Sequence, residues 1–140
     1  MANFKPYSAS LLAIGGFLLV AMGIYFVFMR PALLPEDYRY IGTSSTVLQE
    51  NVPQLSVWLQ KVFWVMGSYI FTTGLLTIFI ALANFRSRTP YAFIIVLISG
   101  ISSIGFMTIV NFIIPSDFKW ILLVFCLFWV VALILYRFRK

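Results

Sequence analysis

Four stretches of this sequence carry no formal charge: Leu11 to Phe28, Val62 to Asn84, Tyr91 to Ile114 and Trp120 to Tyr136. Each is 17 to 24 residues long, and a helix of about 20 apolar residues crosses the hydrocarbon core of a bilayer. Hydrophobic residues make up 62% of the 140 and charged residues only 10%, against roughly 45–50% and about 25% in soluble domains. A soluble fold of this size has nowhere to hide that surface. The expectation is an all-α membrane protein, with four transmembrane helices in an up-down-up-down antiparallel bundle. Residues 1–140 form one domain, with spans over about 8–29, 55–83, 91–114 and 118–136 and an outer loop over about 30–54. The first span reads as retained. Its charged flank is Lys5 alone, and Met29-Arg30-Pro31 follows it without a small-x-small cleavage site.

The counts set several chemistries aside. There is no histidine, hence no imidazole base, imidazole metal ligand or histidine-centred triad. One cysteine, Cys126, closes neither an intrachain disulfide nor a CxxC pair. Gly15-Gly16 lies within a span and not after a strand, so it is no nucleotide loop. No catalytic group, cofactor or metal site is expected. The net charge of +6 points to the membrane, not to nucleic acid.

Four spans put both termini on one side. Lys5, Arg86, Arg88, Arg137, Arg139 and Lys140 fall there with no acid among them. Arg30, Arg39, Lys61 and Lys119 fall on the other side, together with Glu36, Asp37, Glu50 and Asp117, the only four acids. The positive-inside rule makes the termini cytoplasmic, with a bacterial inner (plasma) membrane as the expected location. In the outer loop, Pro35 followed by Glu36 and Asp37 predicts a helix start, and Gly42 predicts its stop. Thr43 to Asn51 predicts a further short helical turn, and Tyr38 and Tyr40 suit a membrane surface.

Small residues recur at alternating spacings of four and three in span 1, at Ala9, Ala13, Gly16, Val20 and Gly23, and span 2 has a comparable seam at Gly67, Gly74, Thr77, Ala81 and Asn84, with Ile70 filling the gap. Span 3 offers Ala92, Val96, Ser99 and Ser103, with Gly100 and Gly105 beside them, whereas span 4 is bulky. Small residues let membrane helices approach closely, so spans 1 to 3 are expected to form the tighter core and span 4 to face lipid. A shift of 84 residues aligns Gly16 with Gly100, Phe28 with Phe112 and Pro31 with Pro115. That fits a duplicated helical hairpin in parallel repeat, or chance matching of apolar spans.

Two groups of polar residues are candidate sites. Thr72, Thr73, Ser99, Ser103 and Asn111 lie in spans 2 and 3. They either bond harmlessly to carbonyls one turn back or line a cavity for water or a lipid headgroup. Arg30, Glu36, Asp37, Arg39 and Glu50 lie in the outer loop. Paired carboxylates can serve as acid and base or hold a divalent cation. A helix N-terminus with arginine partners is the simpler account of them. The charge-free span cores count against a proton-coupled transporter. They also separate this chain from small multidrug-resistance transporters, whose first helix carries a buried glutamate.

Arg30-Pro-Ala-Leu-Leu-Pro-Glu-Asp-Tyr-Arg-Tyr-Ile-Gly42 follows a glycine-containing first span and precedes a second with Gly67 and Gly74. This half of the chain resembles a family of small uncharacterised bacterial four-helix integral membrane proteins. The resemblance implies fold and bacterial membrane location. A histidine-aspartate pair that precedes the second span in that family is replaced here by Leu59-Gln60-Lys61. The function expected is non-enzymatic: binding of membrane lipid or another lipophile, or of a membrane-protein partner or second copy. The alternatives are a small oligomeric transporter or channel, and an outer-leaflet lipid-acting enzyme using the loop carboxylates.

Overall fold

The computed structural model describes residues 5–138, with side chains from residue 7 onward. The Lys5 side chain, Arg139 and Lys140, assigned above to the terminal side, lie outside the described residues. Those described are helical or in turns, with no strand among them. Helix α1 is Lys5–Phe28, α2 Pro35–Ile41, α3 Ser45–Asn51 and α4 Gln54–Ile80. A π-helical turn, Ala81–Phe85, extends α4. Then come α5 Ala92–Gly100, a second π turn Ile101–Gly105, α6 Phe106–Ile113 and α7 Lys119–Arg137. Together they make four helices long and apolar enough to cross a membrane: Tyr7–Phe28, Gln54–Phe85, Ala92–Ile113 and Lys119–Arg137, here called spans 1 to 4.

Spans 1 and 2 meet along their glycines. A methyl group on Gly74 would sit 2.7 Å from the Gly16 carbonyl oxygen, and one on Gly23 would sit 2.5 Å from the Phe71 nitrogen. One on Gly67 would lie 2.9 Å from the Gly23 oxygen. The register pairs 16 with 74 and 23 with 67–71, so the helices run in opposite directions with their backbones in contact. Such contact gains dispersion along the whole seam, and it is open only to residues without a Cβ.

Span 4 is as exposed as expected but packs differently. It is the least buried of the four, at 17% of its most apolar window against 44% for span 1. Yet Trp129 is buried at the centre of the bundle. Its ring lies against Gly15 and Gly100, where an added Cβ would come within 3.3 and 2.6 Å of it, and its indole N–H donates to the Val96 carbonyl at 3.0 Å. The Thr108 hydroxyl, buried, lies 2.7 Å from the Ile104 oxygen and 3.3 Å from the Leu122 oxygen. Span 4 therefore packs against both span 1 and span 3, and span 3 meets span 2 chiefly through α5, next to their connecting turn. The expected core of spans 1 to 3 is corrected to the spatial order 2-1-4-3. The physical reason is that a niche left by two glycines accepts one large ring as well as it accepts a neighbouring backbone.

The two ends of the bundle are fastened differently. At the end near the termini, the Tyr136 ring lies 4.2 Å from that of Phe85 and 5.7 Å from that of Phe93. The Arg88 guanidinium lies 4.7 Å from the Tyr136 ring and donates to the Tyr136 carbonyl at 3.1 Å. This cluster holds spans 2, 3 and 4 together. At the other end α2 forms the clasp. Asp37 Oδ2 accepts from the Leu34 N–H at 2.7 Å, as an acid at the third helical position does when it closes an N-terminus. Gly42, at φ 75°, ends the helix in the left-handed conformation that suits glycine.

Candidate functional site

Joined at the terminal end, spans 2 and 3 part toward the outer loop, and a cleft of about 1340 Å³ opens between them. All its lining comes from that half of the bundle. Span 2 contributes residues between Lys61 and Thr73, span 3 between Ser102 and Ile114, span 1 between Leu18 and Phe26, and span 4 between Phe118 and Phe125. At helical rise, Lys61 to Thr73 is a depth of about 18 Å. Val65 and Tyr69 on one lip and Phe106 and Val110 on the other are exposed, so the cleft opens sideways, out of the bundle. Its walls are apolar and supple: Met22, Met66 and Met107 line it, three of the five methionines in the chain. Methionine's unbranched, polarisable side chain adapts to varied ligand shapes.

The polar groups gather at the floor and the rim. Thr73 and Ser103 line the floor, each hydroxyl donating to a carbonyl one turn back, Tyr69 and Ser99 respectively. Ser103 lies in the second π turn, whose widened backbone turns the adjacent Ser102 to the cleft as well; such turns are frequent at functional sites. Asn111 lies toward the rim, its amide donating to the Met107 carbonyl at 2.9 Å.

At the rim Arg30, Glu36 and Asp37 are already held by groups of the protein itself. Arg30 is 9% exposed. Its guanidinium stacks 3.6 Å from the Phe63 ring centre and 5.4 Å from that of Phe26. It donates to the Pro31 carbonyl at 2.8 Å, to the Ala32 carbonyl at 3.4 Å and to Asp37 at 3.3 Å. Rings, carbonyls and carboxylate together offset the cost of removing a cation from water. Glu36, also buried, accepts from the Ser116 hydroxyl at 2.9 Å and from the Asp117 N–H at 2.7 Å. Arg39 and Asp117 pair through two hydrogen bonds, at 2.9 and 2.8 Å, on the exposed surface. Thus α2 is a strap from the end of span 1 to the turn between spans 3 and 4, and its Glu36 and Asp37 line the outer end of the cleft.

Of the residues singled out in the sequence, the fold brings Thr73, Ser103, Asn111, Arg30, Glu36 and Asp37 to one cleft. It leaves four outside. Thr72 is exposed on the face of α4 away from the lining; Ser99 turns its hydroxyl to the Val96 carbonyl. Arg39 faces Asp117, and Glu50 is exposed on α3. Helical geometry explains the division, because residues one apart, such as Thr72 and Thr73, point about 100° away from each other. The sequence reading missed the methionines and Phe63 as lining, and it put Arg30 in the outer loop without anticipating its burial. The signal in the sequence is the set of bulky residues Met66, Ile70 and Tyr69, which lie to one side of the Gly67–Gly74 stripe of α4. Among the described residues no group of three or more cysteine or carboxylate side chains is placed to hold a metal ion. No family model, curated protein or solved structure matches the chain.

Proposed function

We propose that this is a small integral membrane protein that binds a lipid or comparable lipophile in the cleft between spans 2 and 3 and does no covalent chemistry on it. In this reading the four spans cross a bacterial inner membrane up-down-up-down with cytoplasmic termini. Arg88 and Arg137, which share one end of the bundle, lie inside; the clasp lies outside. The cleft itself carries the proposal. Its volume of about 1340 Å³ exceeds the roughly 300–1,000 Å³ of pockets for drug-sized ligands. Its depth of about 18 Å is close to one leaflet of a hydrocarbon core that is roughly 30 Å thick. Apolar walls with the charged groups confined to the rim match an amphiphile lying with its chain inward. The loop carboxylates support the non-enzymatic reading: Glu36 and Asp37 already accept hydrogen bonds from the chain's own groups, and Glu50 stands apart on α3.

Native mass spectrometry of the protein, taken from its membrane in mild detergent, tests the proposal. The wild type is expected to carry lipid adducts. Ile70→Trp, which fills the cleft from a wall, is expected to lose most of them while remaining folded by circular dichroism. A wild type that flies free of lipid from every mild detergent overturns it.

A further inference from the structure

The charges around the cleft distinguish one class of amphiphile. Four charged side chains line it: Arg30, Glu36, Asp37 and Lys61. Three are satisfied within the protein. Arg30 and Asp37 pair with each other, and Glu36 accepts from Ser116 and Asp117. Lys61 is different. It is exposed, its ammonium lies 3.7 Å from the Trp64 ring centre, and among the described residues it has no carboxylate partner. The indole holds the ammonium at the cleft without neutralising it. The first turns of α4 are anchored beside it, because the Gln60 amide donates to the Arg30 carbonyl at 3.2 Å. Arg30, Glu36 and Asp37 are buried or nearly so, and the Lys61 ammonium is therefore the one exposed, unpaired charge among the lining residues, at the rim of an apolar groove about one leaflet deep.

We infer that the occupant is an anionic glycerophospholipid of the surrounding leaflet, with its headgroup phosphate against the Lys61 ammonium and an acyl chain along Met66 and Ile70 toward Ser103. The inference rests on the lipid-binding reading above and adds the charge of the ligand and the residue that selects it. A glycerophospholipid is favoured over a soluble anion because the cleft opens sideways between spans 2 and 3, where chains of the same leaflet lie. Arg30 would be the obvious selector from sequence, but it has no charge to spare.

The test reconstitutes the full chain in nanodiscs of equal phosphatidylglycerol and phosphatidylcholine, then counts the lipids that survive ejection in native mass spectrometry. The wild type is expected to retain phosphatidylglycerol about five-fold over phosphatidylcholine, the ratio for a basic residue worth about 1 kcal/mol near anionic headgroups. Lys61→Gln is expected to bring the two near parity with total adducts largely kept, and Lys61→Arg to restore the preference. Met107→Trp, from the opposite wall, is expected to reduce both lipids together. Equal retention by the wild type, or an unchanged preference in Lys61→Gln, overturns the inference and leaves the lipid-binding reading standing. Undiminished adducts in both Met107→Trp and Ile70→Trp overturn that reading, and the inference with it.

Discussion

Helix α4 has two seams of opposite character. On one face Gly67 and Gly74 let the backbone of α1 close in until a single methyl group would collide with a main-chain atom. On another face Met66, Tyr69, Ile70 and Thr73 look into a cleft that span 3 does not fill. Both faces are apolar, so hydropathy does not tell them apart. Side-chain volume does. A sealed seam between membrane helices needs residues small enough for backbone contact, and a lipophile site needs walls that stop short of it. One helix therefore serves as part of the core along one stripe and as the wall of an open cleft along another.

The comparison breaks most readily at the sealed seam. Gly23→Val places a branched side chain where even a Cβ lies 2.5 Å from the Phe71 nitrogen. A destabilisation of about 3 kcal/mol, the upper end of overpacking costs, is expected in reversible unfolding from bicelles; a value within error of wild type would show the seam to be loose. The clasp over the cleft comes next. Glu36→Ala removes the acceptor for the Ser116 hydroxyl and the Asp117 N–H, for an expected loss of about 2 kcal/mol. Faster hydrogen exchange over residues 36–42 and 115–118, with the α1–α4 seam still protected, is the signature that sharpens the contrast. Arg39→Ala should matter least. The pair it forms with Asp117 is more than half exposed on both sides, and exposed ion pairs contribute under about 1 kcal/mol. A melting temperature lowered as far as by Glu36→Ala would mean that the strap is held from its outer surface and not by its buried carboxylate.

Much of this was legible in the residues, for reasons that differ by element. The span cores were plain because a charge within hydrocarbon is costly. Helix α2 was readable from Pro35, the two acids and Gly42, since its start and stop are local chemistry. The α1–α4 seam was readable from the spacing of its glycines. Trp129 was not: its niche is assembled from Gly15 and Gly100, 85 positions apart, and no local rhythm marks either as its partner. The burial of Arg30 escaped for the same reason. Phe63, which carries it, is 33 residues downstream and looks in sequence like any other lipid-facing ring. The cleft was half visible. Polar residues in spans 2 and 3 pointed to it, but which of them face inward depends on the 2-1-4-3 order, which no single span encodes.

The Glu36–Ser116 bond joins residues 80 positions apart, and this has a consequence for how the molecule is made. A ribosome adding about 5–20 residues per second delivers the donor roughly 4–16 s after the carboxylate. Spans 1 and 2 are complete well before then, and their glycine seam draws only on segments already synthesised. Glu36 is made before span 2, then waits beside the finished hairpin and reaches its final partners only when the turn between spans 3 and 4 arrives. In the order of biogenesis the seam closes early and the strap closes late. The nascent chain therefore passes through a stage in which the wall bearing Met66 and Ile70 stands uncovered, before span 3 faces it and the strap is drawn across.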